Sequence, residues 1–158
     1  MSNKDNAQQR FSGYVELAAL DRPFLSKAEE RRLLEDGIAR FELDPEEARG
    51  ILLSVAHRRD IRVERDIDRR MLSILERFGG KRRKLGKKKF AEAAAIYNGL
   101  AGGSLSDEAA RVRVKRVMEE NAFRAKRAGL LWSRRWYNKI GRKGDPEATE
   151  VRTPLRPA

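Results

Sequence analysis

The sequence contains no cysteine and only one histidine, and both shortages exclude classes of chemistry. Without cysteine there is no disulfide framework, no thiolate metal site and no cysteine nucleophile. Without a second histidine a zinc site is difficult to build, because such sites rely on histidine and cysteine ligands. His57 is therefore interpreted as a structural or surface residue rather than as a catalytic base.

Long apolar runs and aromatic residues are also scarce. The first ten residues are polar and no apolar segment of a secretory signal follows them. No stretch reaches the roughly 20 apolar residues that a membrane-spanning helix requires. We therefore expect a cytoplasmic protein. Only 7% of the residues are aromatic, which favours helices over sheets because aromatic and β-branched residues are enriched in strands.

Motifs for catalysis, cofactors and metals are missing as well. The glycine pairs at 79–80 and 102–103 match neither the phosphate-binding loop of nucleotide hydrolases nor the dinucleotide fingerprint. Asp60, Glu64 and Asp68 share one predicted helix face, but arginines are interleaved with them, which is typical of surface ion pairs. The sequence predicts no catalytic residue, no cofactor and no metal site, and we expect a binding protein rather than an enzyme.

Helical periodicity with clear start and stop signals is what the sequence does contain. It predicts an all-α fold, an orthogonal bundle of about five short helices plus a short C-terminal amphipathic helix and flexible termini. Ser26 and Glu29 form a capping-box pattern, Asp44 precedes the proline of another helix start, and Ser106 opens a helix that is predicted to continue to about Arg127.

Domain boundaries follow from the same signals. No internal repeat at a regular period is evident, which predicts a single bundle. The predicted division is a polar leader with a short helix at 1–25, the bundle at 26–128, a basic and aromatic helix at 129–143 and a disordered tail at 144–158.

Charge is distributed unevenly along the chain. The formal net charge is +12, but residues 1–78 carry 15 basic and 16 acidic residues, whereas residues 79–158 carry 21 and 8. This excess in the second half indicates a negatively charged partner. Part of this excess is a dense cluster of cations at residues 81–89, which predicts salt-dependent phosphate binding. The alternative interpretation of this cluster is a solvated loop between helices. The densest part contains seven cations: Lys81, Arg82, Arg83, Lys84, Lys87, Lys88 and Lys89.

A second basic segment near the C-terminus includes large aromatic side chains. The rings are able to stack on nucleic-acid bases, to anchor a protein partner or to enter a lipid interface. They are equally able to pack on the bundle, because two of them follow helical spacing. The aromatic residues are Trp132, Trp136 and Tyr137, and the accompanying cations are Arg134, Arg135, Lys139, Arg142 and Lys143, with Arg111 and Lys115 on the preceding helix.

The short capped helices between residues 26 and 120 are arranged in a particular order along the chain. The segment 53–56 runs into the polar turn 58–60, Glu64 opens the next helix, and the segment 90–97 is followed by another helix start at 106–108. This pattern resembles the TerB-like helical domains associated with tellurite resistance, and the resemblance implies a helical fold. In that family an Asp-Gly turn with nearby acids looks suited to metal binding. Here Asp60 is followed by Ile61 and flanked by arginines, so this function is not carried over.

These patterns lead to one functional prediction and its alternatives. The protein is predicted to bind the backbone of DNA or RNA in a salt-sensitive and weakly sequence-specific manner, because no helix-turn-helix, zinc-finger or RNA-binding signature is present. The alternative is an adaptor or assembly subunit that docks an acidic protein partner through the basic face and the C-terminal aromatic segment. An anionic membrane surface is a third alternative.

Overall fold

The structure, a computed structural model, describes residues 3–142, and helices dominate this part of the chain. The predicted all-α class is confirmed. The predicted tail at 144–158 and Lys143 lie outside the described residues. The α-helices are α1 (Asn3–Ala18), α2 (Lys27–Phe41), α3 (Pro45–Arg58), α4 (Glu64–Gly79), α5 (Lys87–Leu100), α6 (Asp107–Glu120) and α7 (Arg135–Asn138), and the two-residue strands are β1 (Phe24–Leu25), β2 (Arg62–Val63), β3 (Lys84–Leu85) and β4 (Arg124–Ala125).

Polar residues at the helix starts act as the caps that the sequence predicted. The Glu29 N–H donates to Ser26 Oγ at 3.2 Å, and the Ser26 N–H donates to Glu29 Oε2 at 2.9 Å. At the start of α6 the Ala109 N–H donates to Ser106 Oγ at 3.1 Å. Each bond satisfies an amide that the first turn of a helix leaves without an intrahelical partner.

The chain forms two compact units, residues 1–65 and residues 66–158, whereas the sequence predicted one bundle over 26–128. Unit 1 contains α1, β1, α2, α3 and β2. Unit 2 contains α4 from its first turn onward, followed by β3, α5, α6, β4 and α7. The short helix predicted in the leader is instead the 16-residue helix α1, which buries Phe11 and Val15.

Both units repeat one architecture, in which a helix is followed by a strand, two helices and a second strand parallel to the first. In unit 1 the register pairs Leu25 with Val63, and in unit 2 it pairs Leu85 with Ala125. Parallel strands require a crossover connection, which α2 and α3 supply in unit 1 and α5 and α6 supply in unit 2. The two units thus form a structural repeat, although the sequence has no repeat at a regular period.

The turn after the second helix of each crossover is also the same in both units. One residue adopts the left-handed region, and the N–H of the next residue donates back across the last turn of the helix, which is the Schellman ending. The corresponding residues are Asp60 and Ala122 (φ 53° and 58°), followed by Ile61 and Phe123, which donate to the carbonyls of Ala56 and Met118, both at 2.8 Å.

Apolar side chains are buried in each unit. Unit 2 also buries a polar pair: the Tyr97 hydroxyl donates to Asp68 Oδ1 at 2.6 Å, and Arg116 Nη2 lies 3.7 Å from Asp68 Oδ2. A buried carboxylate is tolerated only with such partners. The largest fully buried apolar side chains are Phe11, Phe24, Leu52 and Val55 in unit 1, and Met71, Leu75, Leu85, Phe90 and Met118 in unit 2.

Gly37 of α2 packs directly against α1 and α3. A Cβ atom at this position would lie 2.8 Å from Phe11 Cζ and 3.1 Å from Ala48 Cβ. We expect Gly37→Ala to lower the free energy of unfolding by about 1–3 kcal/mol, because the packed side chains must shift to admit a methyl group.

The matched control is Gly50→Ala in α3, where a Cβ atom would meet nothing within 4 Å. Alanine is the better helix former, so this variant is expected to be more stable than the parent by roughly 0.5–1 kcal/mol. Urea denaturation followed by circular dichroism measures both. Equal stability of the two variants would show that Gly37 is not a close-packed position.

Candidate functional site

The two units share an architecture but not a charge balance. Unit 1 carries 12 basic and 13 acidic residues, whereas unit 2 carries 24 basic and 11 acidic residues. The net charges are therefore −1 and +13. Because the same fold forms with either balance, the basic excess of unit 2 is not a requirement of the fold. A large single-sign charge instead raises the local concentration of oppositely charged ligands.

The cluster at residues 81–89 provides the densest part of this charge. It spans the 3-10 turn Gly80–Arg82, strand β3 and the first turn of α5, and all seven cations are exposed. Lys89 Nζ lies 3.0 Å from Glu92 Oε2 and Arg83 Nη2 lies 3.9 Å from Glu76 Oε1. Within residues 3–142, no ion pair joins the other five to a carboxylate; these are Lys81, Arg82, Lys84, Lys87 and Lys88.

Arg83 differs from its neighbours because it is part of the fold. Its backbone adopts the left-handed region at φ 46°. Its Nη1 donates to the carbonyl oxygen of Asn121 at 2.7 Å, and its guanidinium carbon lies 5.2 Å from the centre of the Phe123 ring. The side chain therefore fastens β3 to the end of α6, and it contributes less than the other cations of the cluster to a contact surface.

The crossover helices of the two units begin differently. In unit 1 the Glu64 side chain is fully buried, and its Oε2 accepts the Lys27 N–H at the start of α2 at 2.6 Å. In unit 2 the exposed Lys126 occupies the corresponding position after β4, and Gly86 provides no side-chain cap for α5. The carboxylate that neutralises the start of α2 is thus replaced by a cation at the start of α5.

The first turn of α5 adds to this positive charge. It contains Lys87, Lys88 and Lys89 and no acidic residue. The N-terminal end of a helix is the positive end of its dipole, so cations there are unfavourable and anions are attracted. The start of α5 is accordingly a point of uncompensated positive charge.

The predicted helix over 129–143 is wrong for most of its length. Residues 128–133 form a tight hairpin closed by two backbone hydrogen bonds between Ala128 and Ser133, and only Arg135–Asn138 is helical. Gly129 and Trp132 adopt positive φ values of 82° and 43°, which a right-handed helix excludes. The preceding helix also ends earlier than predicted, at Glu120 rather than near residue 127.

The three aromatic residues of this segment have different surroundings. Trp136 Nε1 donates to the carbonyl oxygen of Lys126 at 3.1 Å, and its ring lies edge-on to Phe90 at 5.5 Å. Tyr137 is buried, and this burial together with the nearby Glu119 carboxylate raises the pKa of its hydroxyl above the ordinary value. Trp132 is 69% exposed. Trp136 and Tyr137 therefore hold α7 on unit 2, and Trp132 is the aromatic residue that faces solvent.

The remaining predicted cations also fall into two groups, those that pack against the protein and those that are exposed to solvent. Lys115 is half-buried, donates from Nζ to the carbonyl oxygen of Ile140 at 3.1 Å and lies 5.0 Å from the centre of the Tyr137 ring, so it supports the C-terminal segment. Sequence reasoning missed three exposed cations at the end of the repeat, although their density in residues 124–127 could have signalled them. The exposed predicted cations are Arg111, Arg134, Arg135, Lys139 and Arg142, and the missed ones are Arg124, Lys126 and Arg127.

Comparison with protein-family models, with curated proteins and with solved structures finds no match for this chain. The resemblance to TerB-like domains stays a prediction. Among residues 3–142, none of the helices combines the length and the apolar character needed to cross a bilayer. The same residues contain no group of three or more acidic or histidine side chains placed to hold a metal ion.

Proposed function

We propose that the protein binds the phosphate backbone of nucleic acid through the basic surface of unit 2. The observation that carries the proposal is the contrast between the two units. They share one architecture, yet the helix start that Glu64 neutralises in unit 1 is surrounded by exposed cations in unit 2. Since the fold does not require these cations, a negatively charged ligand is the simplest reason for them.

The chemistry of this surface favours phosphate groups over individual bases. Lysine and arginine side chains that neutralise phosphates release condensed counterions, so each contact adds affinity that declines with salt. The exposed cations of the cluster lie on a turn, a two-residue strand and the first turn of α5, so they do not form a row along one helix of the kind that reads a major groove. The expected binding is therefore salt-sensitive and weakly dependent on sequence.

Fluorescence anisotropy with labelled single- and double-stranded DNA and RNA tests the proposal. We expect binding at low salt whose affinity falls by about 100-fold or more between 50 and 200 mM salt, the slope expected for several phosphate contacts. Heparin should compete, because it presents anionic groups without bases. Absence of binding to all four probes at 50 mM salt would overturn the proposal.

Lys88→Glu is expected to separate stability from binding. Lys88 is exposed in the first turn of α5, where an acidic side chain interacts favourably with the helix dipole. We expect the variant to gain about 0.3–1 kcal/mol in the free energy of unfolding and to bind nucleic acid more weakly than the parent. Urea denaturation and the anisotropy titration measure the two effects.

Lys88→Gln is the matched control for this variant, because it removes the cation without adding an anion. It should fall between the parent and Lys88→Glu in both measurements. A Lys88→Glu variant that is less stable than the parent would show that the start of α5 is not a site of uncompensated positive charge.

A further inference from the structure

The hairpin at residues 128–133 presents three consecutive apolar side chains to solvent. The Ala128 N–H donates to the Ser133 carbonyl at 2.9 Å, and the reverse bond measures 3.2 Å. The side chains of Leu130, Leu131 and Trp132 at the apex are 105%, 75% and 69% exposed. Scattered single apolar residues are ordinary on a protein surface, but a contiguous group marks an interaction site.

The repeated architecture does not need this hairpin. In unit 1 the chain passes from β2 directly into α4, whereas in unit 2 it leaves β4 and forms the hairpin. Both sides of the hairpin are held on unit 2: the Lys126 N–H donates to the Leu85 carbonyl at 2.7 Å, and Trp136 packs against Phe90. The apex is therefore an addition to the repeat that is fixed at its base and projects its apolar side chains away from the core.

The segment that carries the apex is positively charged along its sequence. Residues 121–142 contain no acidic residue, and every basic side chain among them is exposed. A matching partner surface must therefore be apolar at its centre and anionic at its edge. The basic residues of this segment are Arg124, Lys126, Arg127, Arg134, Arg135, Lys139 and Arg142.

We propose that the Leu130–Trp132 apex inserts into the headgroup region of an anionic lipid bilayer, while the surrounding cations contact the lipid phosphates. Tryptophan favours the boundary between headgroups and acyl chains, and leucine side chains gain from leaving water for the acyl region. Basic residues close to the bilayer add attraction that depends on anionic lipid. A stacking platform for unpaired bases would instead present successive aromatic planes, and two of these three side chains are aliphatic.

Intrinsic fluorescence tests insertion directly, because the chain has only two tryptophans. A Trp132→Phe variant retains Trp136, so the difference between the emission of the parent and that of this variant reports Trp132. Vesicles of phosphatidylglycerol and phosphatidylcholine should shift its emission to the blue and should sediment the protein. Vesicles of phosphatidylcholine alone should bind about tenfold or more weakly, because they lack the anionic headgroups.

A triple variant with Leu130→Ser, Leu131→Ser and Trp132→Ser should lose about tenfold or more of the affinity for anionic vesicles. The matched control replaces Leu17 and Leu20 of unit 1 with serine, because these side chains are 73% and 58% exposed and lie outside the hairpin. The control should bind vesicles like the parent. Circular dichroism checks that both variants are folded.

Three results would overturn this inference: no binding of the parent to anionic vesicles, equal binding by the triple variant, or a Trp132 emission shift with single-stranded oligonucleotide but not with vesicles. The last result would assign the apex to nucleic-acid bases. Failure here is distinguishable from failure of the proposed function, since the anisotropy titration reports nucleic-acid binding without lipid.

Discussion

Replacing Lys81, Arg82, Lys84 and Lys88 with alanine is expected to lower the affinity for nucleic acid by about 100-fold or more at 50 mM salt. All four side chains are exposed, and none is paired with a carboxylate within residues 3–142. If each contacts one phosphate, the slope of log affinity against log salt concentration should decrease by about 3 to 4. Arg83 is left unchanged, because its contacts with Asn121 and Phe123 belong to the fold.

A charge-matched variant separates the cluster from the net charge of the chain. Four other exposed arginines, Arg31, Arg49, Arg69 and Arg70, are replaced with alanine, so that the same total charge is removed outside the cluster. This control should retain most of the affinity and most of the salt slope. Anisotropy titrations between 50 and 200 mM salt measure both variants. Equal losses would mean that the protein attracts nucleic acid by net charge alone, without a contact surface at 81–89.

The helix starts were predictable because capping is a local property. A serine, threonine or aspartate before an apolar periodic segment can satisfy the free amides of the first turn without help from distant residues. Ser26 with Glu29 and Ser106 with Ala109 form these bonds where the sequence placed them. The helical class follows for the same reason, since periodicity is also read over a short window.

The repeat escaped prediction because the two units lack a common period. The loop between their crossover helices comprises residues 42–44 in unit 1 and residues 101–106 in unit 2, so no single offset aligns both halves of the repeat. Few side chains are identical between the units, although Leu25 and Leu85 occupy the same strand position. The strands have two residues each, which is too short for an alternating pattern.

The C-terminal segment was assigned to a helix because Trp132, Trp136 and Ile140 are spaced four residues apart. That spacing is compatible with one helical face, but it says nothing about the backbone between the residues. Gly129 and Trp132 take positive φ values, and the hairpin that results separates the exposed ring of Trp132 from the packed ring of Trp136. The adaptor alternative relied on the C-terminal aromatic segment as its anchor, and Trp136 is one of the three aromatic residues of that segment. Substituting this residue would disturb the packing of α7 as well as any partner contact.

Phe90→Ala is expected to have the largest effect on the stability of unit 2. Phe90 is 1% exposed, and its ring lies 5.5 Å from that of Trp136 and 5.9 Å from that of Tyr137. Removing the ring leaves a cavity and deprives Trp136 and Tyr137 of α7 of their ring contacts with Phe90, which should lower the free energy of unfolding by about 3–5 kcal/mol. Because both tryptophans of the chain lie in unit 2, urea denaturation followed by tryptophan fluorescence reports this unit.

Phe78→Ala is the control for the Phe90 substitution, because Phe78 is only half-buried and Lys89 Nζ lies 4.6 Å from the centre of its ring. Its truncation removes less apolar area from the core, so the loss of stability should be clearly smaller. In the Phe90→Ala variant the emission of folded Trp136 should also move to the red, since its ring loses an apolar neighbour. Equal losses in the two variants, with unchanged emission, would mean that α7 does not depend on Phe90 and that the base of the hairpin is held by other contacts.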